Sequence, residues 1–400
     1  MSRNRILVAV LTIVFVLASG CQVRAAEKFR FLDSSTTWDQ VKSLAADSHK
    51  LVFVDCSTSW CVWCKKMEHE VFPDSAVAEY MTKEFVGVKY DMEVGIGITL
   101  AMKYCVNAFP TFLIVDGKGD LVYKTMGYRP ADKFLADITN AVDPAKRISY
   151  PGISAAIDPG FPPFYRPAYL KGDARKTADS VTVNSYLASV SDLSSEPAWA
   201  VMHRFIGRLG PKFSDYVFDN GSKLKSLYGS EDVEFVMSQL LNIRLESAIK
   251  KHDEPSAVSI VSLAEKNLVS EKTDWRSVFM QQYYVGTGEW NKAVALFESQ
   301  FSAVPPPSAG AINEFSWTIY EKCDDPVIVG KAAGWMKDVV TKTTDYASMD
   351  TYAALLYKAK DYKNAEAWAL KAIEQAKVEK SNSKETEELL EKIRAATGSH

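Results

Sequence analysis

Apolar residues in the first third of the chain follow two alternating rhythms. Residues 51–55 (Leu-Val-Phe-Val-Asp) form an almost unbroken hydrophobic run, as a central strand buried on both faces requires. Residues 28–32, 85–91, 111–116 and 121–125 read as further strands. The last two form a hairpin around Gly117-Lys118-Gly119-Asp120, a strong turn signal. Between the strands, helical spacing predicts helices over 37–46, with Trp38, Val41 and Leu44 on one face, and over 61–71, with Cys64, Met67 and Val71 facing the core. Phe72-Pro73-Asp74 ends the latter, and helices follow over 76–84, 98–104 and 130–142. Strand–helix alternation, then a hairpin and a closing helix, predicts a three-layer α/β/α sandwich over residues 27–143.

The rhythm then changes. Pro144, Pro151, Pro159, Pro162, Pro163 and Pro167 crowd residues 144–171, where periodic apolar positions are few, so this stretch reads as an interdomain linker. From 172 to 400 the spacing is helical almost throughout, predicting an all-α second domain. Tyr284-x5-Trp290-x2-Ala293-x3-Phe297 returns in weaker form at Ala353, Tyr362, Ala365, Trp368 and Ala372. Segments 315–322 and 329–340 suit another helical pair. This spacing resembles tetratricopeptide-type repeats, although the closing proline is absent and Ala369 replaces an aromatic in the last unit. The tryptophans of this region read as helix-packing residues.

Composition narrows the function classes. Four hundred residues, 47% apolar and 24% charged, are enough for at least two cores. A net charge of −3 with interspersed signs gives no electrostatic reason to expect a nucleic-acid partner. Arg3 and Arg5 precede an apolar run over residues 6–18, the pattern of a secretory signal over residues 1–26 and too short for a membrane span. Two processing readings stand side by side: ordinary cleavage near Val23-Arg24-Ala25, or a lipobox-like Leu17-Ala18-Ser19-Gly20-Cys21 that leaves a lipid anchor at Cys21. Either predicts an exported, periplasmic protein, soluble or lipid-anchored, in an oxidising compartment.

The chemistry concentrates in Trp60-Cys61-Val62-Trp63-Cys64-Lys65, directly behind the hydrophobic run. A strand feeding a helix that opens on Cys-x-x-Cys sets the first sulfur at the helix N-terminus, where unpaired amides and the helix dipole favour a thiolate. The second sulfur, one turn along, can close a small reversible disulfide. A zinc site needs four ligands, no second such pair exists, and the five histidines are scattered. A purely structural disulfide across so short a loop gains little from closure entropy. Redox chemistry is therefore expected, with no metal and no cofactor. Cys56 reads as a small core residue. Cys105, before Pro110, reads as a third thiol that is reactive or buried.

With these motifs in register, residues 28–143 resemble a thioredoxin-fold domain. Asp55 falls where thioredoxins carry a buried carboxylate beneath the active-site disulfide, and Trp60 on the tryptophan before the first cysteine. Phe109-Pro110-Thr111 falls on the cis-proline loop, and Gly127 suits the glycine after the central hairpin. The wording around Val54–Cys61, Lys65-Lys66-Met67 and Val71-Phe72 is similar to secreted bacterial thioredoxin-like proteins and to periplasmic reductase domains of electron-relay proteins. The resemblance implies a thiol:disulfide oxidoreductase with Cys61 as nucleophile, Cys64 as resolving thiol and Asp55 as base. Trp60, Trp63, Phe109, Pro110 and Thr111 are the implied substrate-binding residues. Val62-Trp63 supplies neither the histidine of strongly oxidising relatives nor the glycine–proline of cytosolic thioredoxins, which favours a reductant or mild exchange catalyst. Its partners are then disulfide-containing protein substrates, an unidentified reductant protein and a protein partner on the helical region. Two alternatives stand: a disulfide isomerase, and a partner-binding helical-repeat protein whose thiol domain is regulatory or structural.

Overall fold

The computed structural model describes residues 28–269 and 273–398; the expected leader, with Cys21, lies outside them. Two compact units divide the chain. The first takes in the described residues up to Phe205 together with Leu224–Gly229, and the second takes in Ile206–Lys223 and Ser230 onward.

The first unit is built on a four-stranded sheet. Helix α1 (Trp38–Asp47) starts on a capping box between Thr37 and Gln40 and leads to β1 (Leu51–Ser57), whose residues from Val52 onward are all buried. Helix α2 (Val62–Lys66) follows, then α3 (Ser75–Glu84), capped by Asp74, and β2 (Phe85–Asp91). Helix α4 (Ile96–Lys103), β3 (Thr111–Val115), β4 (Leu121–Met126) and α5 (Ala131–Val142) complete the alternation. The strand order is β2-β1-β3-β4, with β1 parallel to β2 and antiparallel to β3. The α/β thioredoxin fold followed by a mostly helical region is thus the architecture observed. A core of five phenylalanines holds one face: Phe53 stacks on Phe112 at 5.7 Å and meets Phe72, Phe85 and Phe134 edge-on or tilted.

Three local expectations need correction. Residues 28–32 form a single bridge, Leu32 to Val88, instead of a strand. The ring of Phe29 lies where a side chain on Gly87 would stand, so packing rather than a ladder holds this segment. The helix over 61–71 is α-helical only to Lys66 and widens into a π-turn over Met67–Val71.

The third concerns the proline-rich stretch, which groups with the first unit. Its aromatic residues anchor it. Tyr165 is fully buried, donates to the Met102 carbonyl at 3.1 Å and stacks on Phe161. Helices α6 (Ser180–Ser189) and α7 (Glu196–Arg204) extend this layer. Lys103 on α4, with a side chain only 1% exposed, is neutralised by Glu196 of α7 and donates to the Ser154 hydroxyl at 3.2 Å. The boundary expected at residue 171 therefore differs from the division at Phe205.

In the second unit, α8 (Pro211–Asp219) and part of α9 (Gly221–Tyr228) precede α10 (Ser230–Lys251), α11 (Glu254–Asn267), α12 (Trp275–Thr287) and α13 (Trp290–Ser299). Then come α14 (Ala309–Lys322), α15 (Pro326–Val340), α16 (Tyr346–Lys358), α17 (Tyr362–Glu379) and α18 (Lys384–Thr397). Helices from α10 on pack chiefly against their sequence neighbours and the next but one, the pattern of a helical-repeat array. The alanines picked out by the repeat spacing lie where helices meet: Ala293, Ala353, Ala365 and Ala372 are fully buried. Among the described residues no helix is long and apolar enough to cross a membrane.

Glu196→Ala strands the Lys103 ammonium and is expected to cost about 3–5 kcal/mol in urea denaturation. Glu298→Ala, at the exposed pair with Lys331, is expected to cost under about 1 kcal/mol. Equal losses would show that Lys103 does not depend on α7.

Candidate functional site

Strand β1 delivers the chain to the site. Beyond Ser57 the loop Thr58-Ser59-Trp60 leads to Cys61, which caps α2 with extended backbone while its sulfur accepts the Cys64 N–H at 3.0 Å. Cys61 and Cys64 are disulfide-bonded. Exposure does not distinguish them, at 3% and 2%. Their place on the helix does: Cys61 stands at the positive end of the backbone dipoles, and Cys64 lies within the first turn. Trp60, Val62 and Trp63 surround the pair and are each more than half exposed, so the disulfide sits under an apolar rim.

Behind the rim lies a buried charge. Asp55 on β1 is 1% exposed, and neither carboxylate oxygen has a hydrogen-bond partner. Burial pushes its pKa up from 3.8 to about 7, an effect that Lys89, its register partner on β2, partly offsets. Lys89 is itself ion-paired with Glu68 on the π-turn. Glu68 and Lys89 line a cavity of about 550 Å³ together with Cys64, Ser57, Thr58 and Asp91. Cys56, next in the strand, is fully buried, and burial together with Asp55 holds its thiol well above the usual range.

The Phe109–Pro110 bond is cis, and Thr111 opens β3 with its hydroxyl donating to the Ala108 carbonyl at 2.8 Å. Gly127, at φ +88°, donates its N–H to the Pro110 carbonyl at 2.8 Å. The structure brings together the sequence-predicted rim. Trp60 meets Phe109 edge-on at 5.8 Å, and Trp63 lies 5.7 Å from Tyr128 with Lys66 over both rings. Cys105 is buried and not disulfide-bonded; its φ of +51° is the left-handed conformation that favours glycine. His69 and Glu70 are exposed.

Sequence reasoning missed Glu68, Lys89, Glu93 and the residues after 143 that reach the rim. Glu68 was discoverable, since it stands four residues after Cys64 on a helix. Glu93 was not: it follows β2 in a loop, yet it is buried and accepts the Trp60 indole N–H at 2.9 Å.

Residues 38–141 match the family model described as thioredoxin-like domain. The thiol:disulfide interchange protein DsbD of Pseudoalteromonas atlantica is 25% identical over 126 residues, which are 30% of this chain and 21% of that protein. The chain therefore spans about a fifth of the length of that curated relative. Among solved structures, a putative disulphide-isomerase from Bacteroides thetaiotaomicron is 39% identical over 29% of this chain and 93% of its own, with a TM-score of 0.27. DsbH oxidoreductase is 16% identical over 30% of this chain and 88% of its own, also with a TM-score of 0.27. Through the domain that carries the Cys61–Cys64 pair, the chain belongs to the thioredoxin superfamily.

Proposed function

We propose that this protein is an exported thiol:disulfide oxidoreductase that reduces or exchanges disulfides in protein substrates. The observation that carries the reading is a bonded Cys-x-x-Cys pair whose first sulfur caps a helix at the end of a buried strand. In the reduced protein, the Cys61 thiolate attacks a substrate disulfide, forming a mixed disulfide and releasing one substrate thiolate. Cys64 then attacks the Cys61 sulfur, re-forming the protein disulfide and freeing the second substrate thiol. Asp55, with its pKa near neutrality, serves as the base that takes the Cys64 proton. Trp60, Trp63, Phe109, Pro110 and Thr111 form the face on which an extended substrate segment lies, pairing with backbone next to Pro110. A separate reductant protein returns the pair to the dithiol, and the helical array recruits a protein partner.

The apolar leader supports export, with the mature chain periplasmic and either soluble or lipid-anchored at Cys21. Reduction is favoured over oxidation because Val62-Trp63 adds no charge that stabilises the thiolate. Isomerisation is the second reading, supported by the 39% identity to the Bacteroides putative disulphide-isomerase.

Insulin reduction followed by turbidity tests the reading. The mature protein is expected to accelerate precipitation by dithiothreitol, Cys61→Ser to fall to the uncatalysed rate, and Cys64→Ala to accumulate mixed disulfides visible on non-reducing gels. An unaccelerated reaction with the parent protein would favour the partner-binding alternative. Refolding of a scrambled substrate without net reductant consumption would favour the isomerase.

Asp55 makes a separate prediction for the oxidised protein. Below about pH 4 its carboxyl is protonated both folded and unfolded, and burial carries no ionic cost. From there to about 7 the folded chain keeps a proton that the unfolded chain releases, so stability falls as pH rises. Asp55→Asn is therefore expected to be more stable than the parent by roughly 4 kcal/mol at pH 8, with the gap closing toward pH 4. A gap independent of pH in denaturant titrations would rule out a buried, protonatable Asp55.

A further inference from the structure

Residues that follow the thioredoxin-like domain build one wall of a second cavity beside the rim. It measures about 190 Å³, room for a single side chain, and its lining includes Trp60, Asn107, Phe109, Tyr169, Arg175 and Arg204. Two of these place it at the reacting centre: Trp60 precedes Cys61, and Phe109 precedes the cis-proline.

The charge of this cavity is unbalanced. Its one carboxylate, Glu93, is buried and saturated. One oxygen accepts from Arg175 at 2.8 Å; the other accepts from the Trp60 indole at 2.9 Å and lies 3.6 Å from the Lys171 ammonium. Arg204 is spent on neutral groups, donating to the Asn107 side-chain oxygen at 2.6 Å and to the Ala168 carbonyl, with its guanidinium 4.1 Å above the Tyr169 ring. Among the described residues it has no carboxylate partner. Arg175 and Arg204 in the lining, against Glu93 alone, leave a net positive pocket partly screened from water, and Lys171 beside Glu93 adds to its charge.

We propose that this cavity is a subsite for an acidic residue flanking the reactive cysteine of the substrate. The proposal rests on the oxidoreductase reading of the same site and gives it a substrate class: disulfides bordered by aspartate or glutamate. The geometry assigns the selection to Arg204, with Lys171, close to Glu93 and the Ser59 hydroxyl, adding to the field. Arg175 and Glu93 hold Trp60 in place as the shared wall.

The test uses three short peptides with a single cysteine flanked on both sides by Glu, Gln or Lys, each blocked as a mixed disulfide with 2-thiopyridine. The full-length protein is reduced with dithiothreitol, desalted, mixed with each peptide, and followed by the absorbance of released 2-thiopyridone. The Cys61 thiolate breaks the peptide–pyridyl S–S bond, and Cys64 then displaces the sulfur held on Cys61. Two electrons leave the dithiol, the Cys61–Cys64 disulfide forms, and both halves of the probe depart as thiols. The Glu peptide is expected to react about tenfold faster than the Lys peptide at low salt, with Gln between. The ratio is expected to shrink toward one at about 0.5 M salt. Within each variant the Glu-to-Lys ratio is the readout: Arg204→Gln and Lys171→Glu are each expected to bring it to about two or below. Lys171→Glu, on an exposed side chain, decides the matter if Arg204→Gln does not fold. Equal rates for all three peptides overturn the subsite while leaving the oxidoreductase reading intact. A preference undiminished in folded variants overturns it as well, because the selection then arises elsewhere. Failure of every peptide to react overturns both.

Discussion

The hydrogen bond from the Cys64 N–H to the Cys61 sulfur is the contact on which the site depends. It exists because β1 is buried from Val52 to Ser57 and cannot slide, so the chain leaves the sheet at a set point and turns into α2 a few residues later. A sulfur at a helix cap meets unpaired amides that no later position in the helix offers. The chemistry thus follows from where a strand ends. The phenylalanine cluster around Phe53 holds that end still, with packing of a kind that tolerates little movement.

Around this contact the protein accumulates groups that ordinary packing would exclude. Asp55 has no hydrogen-bond partner, Cys56 lies beside it, and the nearest cation, Lys89, is shared with Glu68. Such an arrangement holds the Asp55 pKa up near neutrality behind the disulfide and weakens the fold as its carboxyl ionises. On the far side, Glu93 has the opposite character: buried and saturated, it ties Trp60 to residues contributed from beyond the domain. One carboxylate is left without partners and one is given three.

Much of the first unit was legible because its signals are local. The hydrophobic run of β1, the glycine-rich hairpin turn and the Cys-x-x-Cys spacing each imply their structure within a few residues. The fate of residues 144–205 was hidden because the prolines there suggested a spacer, whereas Tyr165 and Tyr169 decide it by being buried against α4 and its surroundings. Lys103 is buried, yet nothing within its own element announces a partner ninety-three residues later. Contacts of that separation cannot be seen in periodicity. The helical array was legible as a pattern of small residues, since Ala353, Ala365 and Ala372 are buried at the spacing that drew attention to them.

The π-turn over Met67–Val71 carries one residue more than an α-turn of the same span. Each residue of an α-helix advances the direction of its side chains by about 100°. Deleting one residue here would restore an α-turn of the same span and leave Phe72 and the Asp74 cap of α3 on the sheet, whereas the same deletion within α2 would turn all that follows by about 100°. The extra residue therefore acts within the turn itself, which carries Glu68, the ion-pair partner of Lys89 on β2.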